Sequence, residues 1–464
     1  MKSLHLVHRP TLAAGIGFLV SFLVLSAWLS PIRVHAAAYY VDYDSGNDNN
    51  NGQSQATAWR HAPGMAGASS VPAATALVPG DTVFFKSGVI WPAAALPLNP
   101  AWSGTSSQPV VFARLSGWGT GDYAILDGQN SDAHAIDLNN YSQRQYVVFD
   151  GFWLRNTTGA AFANRENHNI TLRNFRVTGC GATEDACVFA YRRTIFERGI
   201  VDANRQMYGI LVGYANHEIR QNDVSNAFSA LIRVQTRSDS TVVEKNYLHD
   251  LTMPSGGLNS ALIFRSSSYG TIRYNIIDLS SGAGHFGIKG WNNNQEGPLG
   301  NRETQNKVYG NTIIMNGVLG VDSSGIQFAN QDDLQVFNNI IVNAEYGFGC
   351  VTGSPNSSIL VKYNLYFQVR APYEGCWIGN PAFSIGSGEL VNQNPQFSNT
   401  GSKPVPYYNL VNSSPAVNTG DPATPAGMDY KGARVPIGSG FDIGALEYSS
   451  DSVPPAPPPN LRTQ

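Results

Sequence analysis

TVVEKNYL (241–248), TIRYNIID (271–278), KVYGNTII (307–314), QVFNNIIV (335–342) and LVKYNLYF (360–367) are five versions of one phrase. Each is a short β-rich run, a pivot Asn, and a second apolar run. The phrase continues backwards through HEIRQNDV (217–224), TIFERGIV (194–201), ITLRNFRV (170–177) and VVFDGFWL (147–154). The pivots are Gly151, Asn174, Gly199, Asn222, Asn246, Asn275, Asn311, Asn339 and Asn364, at spacings of 23, 25, 23, 24, 29, 36, 28 and 25. A period near 24 with occasional insertions is the mark of a solenoid. The runs are rich in Val, Ile, Thr, Phe and Tyr and they alternate, so they are strands. Leucine-rich repeats need Leu at fixed offsets, and these coils lack them. Asn and Gly tolerate the left-handed backbone of a sharp bend, so each pivot is expected to be a corner. Stacked Asn side chains can also join in a hydrogen-bonded ladder. The expectation is a right-handed parallel β-helix of about ten coils.

A coil of this length with Asn at one corner resembles the pectate-lyase-like superfamily of right-handed β-helices. YYVDYDSGNDNNNGQSQATAW (39–59) and VPGDTVFFKSGVIW (78–91) resemble the opening of exported bacterial proteins of this kind, and FDIGALEY (441–448) their closing segment. The resemblance implies architecture more than activity. The superfamily includes lyases, hydrolases, epimerases, adhesins and non-catalytic proteins.

The organisation follows. Residues 1–38 read as a signal peptide: Lys2 and Arg9, an apolar run from Thr11 to Trp28, then Ala36, Ala37 and Ala38 in a cleavage pattern. An uncleaved anchor is the competing reading. Residues 39–125 form a cap and first coils, 126–385 the regular helix, 386–449 a closing region, and 450–464 a Pro-rich disordered tail. This predicts a secreted protein, extracellular or periplasmic, with no membrane contact in the mature form, and a monomer. The net charge of -3 with 14% charged residues gives no basic footprint for nucleic acid or an anionic membrane. Cysteines 180 and 187 flank a short loop, and Cys350 and Cys376 lie one coil apart. Disulfides 180–187 and 350–376 are expected, with four free thiols as the alternative.

In such a fold, chemistry is sought on one outward sheet face. Six strands define it: CVFAYR (187–192), GILVGY (209–214), LIRVQT (231–236), LIFRSS (262–267), FGIKGW (286–291) and GIQFAN (325–330). Alternation places Ile210, Val212, Ile232, Val234, Leu262, Phe264, Phe286, Ile288, Ile326 and Phe328 inward. It places Tyr191, Arg233, Gln235, Arg265, Lys289 and Gln327 outward. Arg233, Arg265 and Lys289 are expected at matching positions on consecutive coils, forming a column of cations. A stable solenoid does not require this, because like charges on neighbouring strands repel. The longest insertions, TMPSGGLNS (252–260) and WNNNQEGPLGNRETQ (291–305), would wall the face, and Trp291 can stack on a sugar ring.

The leading function is therefore a lyase that cleaves an acidic, uronate-containing polysaccharide by β-elimination. Arg233 and Arg265 would neutralise the carboxylate, Lys289 would act as base, and His249 or His285 would protonate the leaving oxygen. Tyr191, Gln235, Trp291 and Gln327 would bind substrate. The resemblance implies a Lys or Arg base, often with Ca²⁺, which Asp250 and Asp278 would hold. Glu184, Asp185 and Asp322 are weaker acidic candidates, read first as turn or solvated residues. The Asn-rich 42–52 stretch reads as a turn. The alternatives are a glycoside hydrolase with a carboxylate pair and a non-catalytic glycan-binding surface or matrix protein.

Overall fold

The computed structural model describes residues 36–132, 134–139, 143–181, 185–252, 259–281, 284–291, 303–317, 323–350, 358–375 and 383–449. Residues 1–35 of the signal segment, the Pro-rich tail, the two insertions for most of their length, Glu184, Asp322, Cys376 and the Trp291 side chain lie outside the described residues.

Three long parallel sheets run the length of the solenoid, of 13, 12 and 10 strands among the described residues. Each coil adds one short strand to each sheet, as the repeat requires. The first sheet opens with Ala38–Val41, paired to Thr82–Ser87 in register Ala38↔Thr82. Ala37 also donates its backbone N–H to Asp81 at 2.7 Å. The ordered fold thus takes in two residues of the segment read as the signal peptide. The only α-helix among the described residues is Ser70–Ala74. The Asn-rich 42–52 stretch is the expected turn, tied by Ser45 and Lys86 to Asp42.

One inward row of the first sheet shows what holds the coils together. Phe149, Leu172, Phe196, Ile219, Val243, Ile272, Val308, Val336 and Val361 are register partners in succession, and all are buried. Removing such side chains from water stabilises the fold by roughly 1.5–3 kcal/mol each. The outward row one residue C-terminal to Ile219 and its partners alternates in sign. It runs Asp150, Arg173, Glu197, Arg220, Glu244, Arg273. Ion pairs join Arg173 to Asp150 at 2.7 Å, Arg220 to Glu197 at 2.8 Å and Arg273 to Glu244 at 2.6 Å.

The Asn ladder forms and is continuous. The Nδ2 of Asn222 donates to Oδ1 of Asn246 at 3.0 Å, and the bond repeats at 2.9 Å through Asn275, Asn311, Asn339 and Asn364. The same Oδ1 accepts the backbone N–H of the preceding ladder residue, and Gly199 N–H starts the column. Glu389 ends it, its Oε1 accepting both N–H donors of Asn364.

The ladder corrects one expectation. The left-handed residue of each bend is not the Asn but its predecessor: Gln221, Lys245, Tyr274, Asn338 and Tyr363 have φ between +53° and +57°. Gly151 and Asn174 are themselves left-handed, so as pivots they sit one residue out of step with the ladder.

A second polar stack occupies another corner. Asn306 donates to Gln331 at 3.0 Å, and Gln331 donates to Glu303 at 2.6 Å. Glu303 also accepts the backbone N–H of Ser266. Burial pushes its carboxyl up to about 8.

The closing region covers the outer face of the 12-stranded sheet. Tyr408, Leu410, Ala416, Ile443, Ala445 and Leu446 pack on Tyr247, Ile276, Ile314, Ile340, Val342 and Leu365. Lys403 reaches Asp278 at 2.6 Å and Lys362 reaches Asp421 at 2.7 Å. The Cys180–Cys187 disulfide forms, with Cα atoms 5.4 Å apart. Cys350 is also disulfide-bonded.

Two stability outcomes are expected. Asn275→Leu removes the acceptor of both Asn246 donors and the donor to Val243 O and Asn311. It should cost about 3 kcal/mol, read as a lower urea midpoint at unchanged slope. For Glu303, a folded value above the unfolded one means stability present at low pH is lost as pH rises from about 4.5 towards 8. Wild type should therefore lose more stability than Glu303→Gln between pH 5 and pH 9 in parallel urea titrations. Equal losses would assign Glu303 an ordinary carboxyl.

Candidate functional site

The ten-stranded sheet contains all six strands of the predicted face. Its register is Leu211↔Arg233↔Ile263↔Lys289↔Gln327↔Gly349. The continuous cation column is therefore corrected. Arg233 and Lys289 share a row with Ile263 between them, and Arg265 stands two residues further on, opposite Trp291. Setting Arg233 opposite Arg265 would need Ala230 against Leu262, whereas the strands pair Ile232 with Leu262. A shift of two residues keeps a side chain on the same face but moves it to another row.

The inward set needs one change, for a separate reason. At the start of these strands two successive residues face the core, as Leu231 with Ile232 and Ala261 with Leu262. Alternation therefore slips, and residues three apart share the outer face. Phe286 is outward, and its ring carries the Lys289 ammonium 4.1 Å from its centroid. Arg233 repeats the pattern, lying 4.8 Å over the Tyr208 ring and donating to its hydroxyl. The other residues of the predicted inward set are in the core.

His285 opens the Phe286–Trp291 strand. The Oδ1 of buried Asn259 accepts the His285 backbone N–H at 3.2 Å and lies 3.1 Å from its Nδ1. An oxygen fixed by a backbone donor can only accept from the ring, so Nδ1 carries the proton and Nε2 keeps its lone pair. Burial, and then the Lys289 charge, hold the imidazole below its usual range.

Asn259 Nδ2, Arg233 Nε and Ser324 Oγ are buried donors on this face that make no hydrogen bond among the described residues. A Cβ on Gly349 would lie 2.8 Å from Ser324 Oγ and 3.5 Å from the Gln327 side chain. Glycine there keeps that corner open. The strands Tyr208–Gly213, Ala230–Gln235, Ser260–Arg265, Phe286–Trp291 and Ser324–Phe328 contain no Asp or Glu. Gln235 lies in register with Gly213, and Tyr191 is half-buried at the N-terminal end of the face.

The remaining sequence candidates lie elsewhere. His249 and Asp278 belong to the 12-stranded sheet, apart from Lys289. His249 is held between Asp223 at 2.8 Å and Asp250 at 2.7 Å. Burial opposes its charge, but the two carboxylates win and raise it above its usual range. Asp250 also accepts from Ser281, and Asp278 accepts from Lys403, Tyr408 and Ser280. These oxygens are filled by protein donors, so the Asp250–Asp278 pair does not fit a Ca²⁺ ion. No cluster of three or more His, Cys, Asp or Glu able to hold a metal occurs among the described residues. A cavity of about 230 Å³ lies on the alternating-charge sheet, lined by His217, Glu218, Arg220, Glu244 and Arg273 among others. Its cations already face carboxylates.

Sequence reasoning missed Asn259, Tyr208, Ser324 and Phe286 as site residues. None carries a motif, and only the register and the slipped alternation place them beside the cations.

The chain was compared with known sequences, families and solved structures. No curated protein matches the chain in sequence. Among solved structures, XylC in complex with xylose aligns at 10% identity and a TM-score of 0.48, covering 78% of this chain and 87% of that one. Pectate lyase Pel9A aligns at 13% and 0.43, covering 89% and 96%. Lacto-N-biosidase from Eubacterium ramulus aligns at 12% and 0.39, covering 76% and 68%. The chain is a parallel β-helix, and residues 201–365 match the family described as right handed beta helix region.

Proposed function

We propose that this chain binds an acidic polysaccharide along the outer face of the ten-stranded sheet and cleaves it by β-elimination. The observation that carries this reading is a group of cations, Arg233, Arg265 and Lys289, beside buried donors without a hydrogen bond among the described residues, Asn259 Nδ2, Ser324 Oγ and the Nε of Arg233 itself, on or next to strands that contain no carboxylate. Buried polar groups are nearly always bonded, so donors left open beside cations favour an anionic, oxygen-rich ligand. Hydrolysis by a carboxylate pair has no pair on these strands.

The geometry changes the roles expected from sequence. The Phe286 ring favours the charged form of Lys289. Lys289 with Arg265 on the neighbouring strand would neutralise the uronate carboxylate and stabilise the enolate-like transition state. His285, neutral and with its Nδ1–H held by Asn259, would remove the C5 proton with Nε2 and pass that proton to the leaving glycosidic oxygen as the C4–O bond breaks. Arg233, held by Tyr208, would hold a neighbouring carboxylate.

The test is incubation with acidic and neutral polysaccharides, following the ultraviolet absorbance of an unsaturated uronate. Wild type should generate it on an acidic polymer, with an acid limb below the ordinary His value. His285→Ala should lower the rate by at least about 100-fold while binding persists. Lys289→Gln should weaken binding and move the acid limb to higher pH, because the charge that depresses His285 is gone. Saturated reducing ends would mean a hydrolase, and binding without cleavage a glycan-binding protein.

A further inference from the structure

The outer face does not end at the cations. Two residues beyond the Arg233–Lys289 row runs a second outward row: Arg165, Tyr191, Gly213, Gln235 and Arg265. Its register follows from Asn164↔Ala190, Ala190↔Val212, Gly213↔Gln235 and Val234↔Phe264. Gly213 is where this row is shaped. A Cβ there would lie 3.3 Å from the Tyr191 ring, closer than most side-chain contacts tolerate. The missing side chain lets the Tyr191 ring lean over the next coil. Tyr214 stands at its edge, centroids 5.4 Å apart at 87°, and remains 50% exposed. Arg165 closes the other side, 5.7 Å from the Tyr191 centroid. Behind these rings the face is apolar, with Phe189, Leu211 and Tyr208 packed together.

We infer that Tyr191 and Tyr214, seated on Gly213, form an aromatic subsite for a pyranose ring of the same polysaccharide chain, four strands from Lys289. This rests on the reading given under Proposed function and extends it to the length of the ligand. Aromatic faces suit sugars because the C–H face of a pyranose is apolar while its rim is polar. The Tyr191 strand lies four strands from the Lys289 strand, roughly 19 Å at the usual strand spacing. A monosaccharide or disaccharide cannot touch both ends. Only a longer chain engages Lys289 and the rings together, and linking two weak contacts makes the second effectively intramolecular. The ligand class is therefore a polymer or long oligosaccharide whose affinity rises with length.

Isothermal titration with acidic oligosaccharides from disaccharide to octasaccharide tests this. For wild type, Kd should fall with length and then level off once the chain spans both ends. Tyr214→Ala and Tyr191→Ala should each raise the octasaccharide Kd about tenfold and flatten the length dependence. Tyr191→Phe, which keeps the ring, should restore most of it. Tyr269→Ala is the control: Tyr269 is 52% exposed and left-handed at another corner, and its loss should leave the length series as in wild type. A length series unchanged in both Tyr191→Ala and Tyr214→Ala overturns the subsite while leaving the cationic site standing. If wild type binds no acidic oligosaccharide of any length, the subsite and the reading beneath it fall together.

Discussion

Everything here depends on stacking one strand on the next at a fixed spacing, and the buried Asn column is the interaction that enforces it. Each amide is at once donor to the coil after it and acceptor for the coil before. A coil cannot slide along its neighbour without breaking both. Insertions are therefore absorbed outside the stack: Asn246 and Asn275 are bonded although 29 residues separate them, and Asn275 and Asn311 although 36 do. The column converts an irregular sequence into a regular lattice of side-chain rows, and only such a lattice can bring Arg233 and Lys289 into one line across the intervening coil.

The same lattice makes the three faces chemically distinct. On the first sheet, charges alternate coil by coil and satisfy one another. On the second, apolar side chains are covered by the closing region. On the third, cations, aromatic rings and open donors share central strands that bear no acid, while the sheet's carboxylates, Asp137 and Glu374, stand on its two end strands. Identical backbone geometry supports an ion-pair ladder, an internal interface and a proposed ligand groove, and the difference lies in which residues fill the outward positions.

The repeat was legible because solenoids write their period directly into spacing. The corner Asn, the inward rows and the Cys180–Cys187 bridge follow from it. The site was less legible. Alternation separates inward from outward but does not fix register between coils, so Arg265 was placed one row off; two consecutive core-facing residues at Leu231–Ile232 and Ala261–Leu262 break the alternation itself, which turned Phe286 the wrong way. His249 and Asp278 looked close to Lys289 along the chain, yet the coil geometry puts them on another face. The left-handed residue fell on Lys245 and Tyr274 rather than the following Asn, because the ladder requires the amide to point inward just after the bend.

A column of amides that all point the same way has a head and a tail, and each must be dealt with. Here the tail is a carboxylate. Glu389 offers Asn364 the oxygen that a further Asn would have offered, and its other oxygen accepts the Tyr373 hydroxyl at 2.8 Å. Unlike an amide, it has no N–H with which to continue the series. A residue of this kind is a chain terminator in the polymer sense: the growing row of coils ends on a group that can receive but not pass on. Open-ended stacks of parallel strands invite another copy to add at the free edge. Terminating the internal column chemically, in addition to covering it, removes one of the bonds by which such end-to-end growth would propagate.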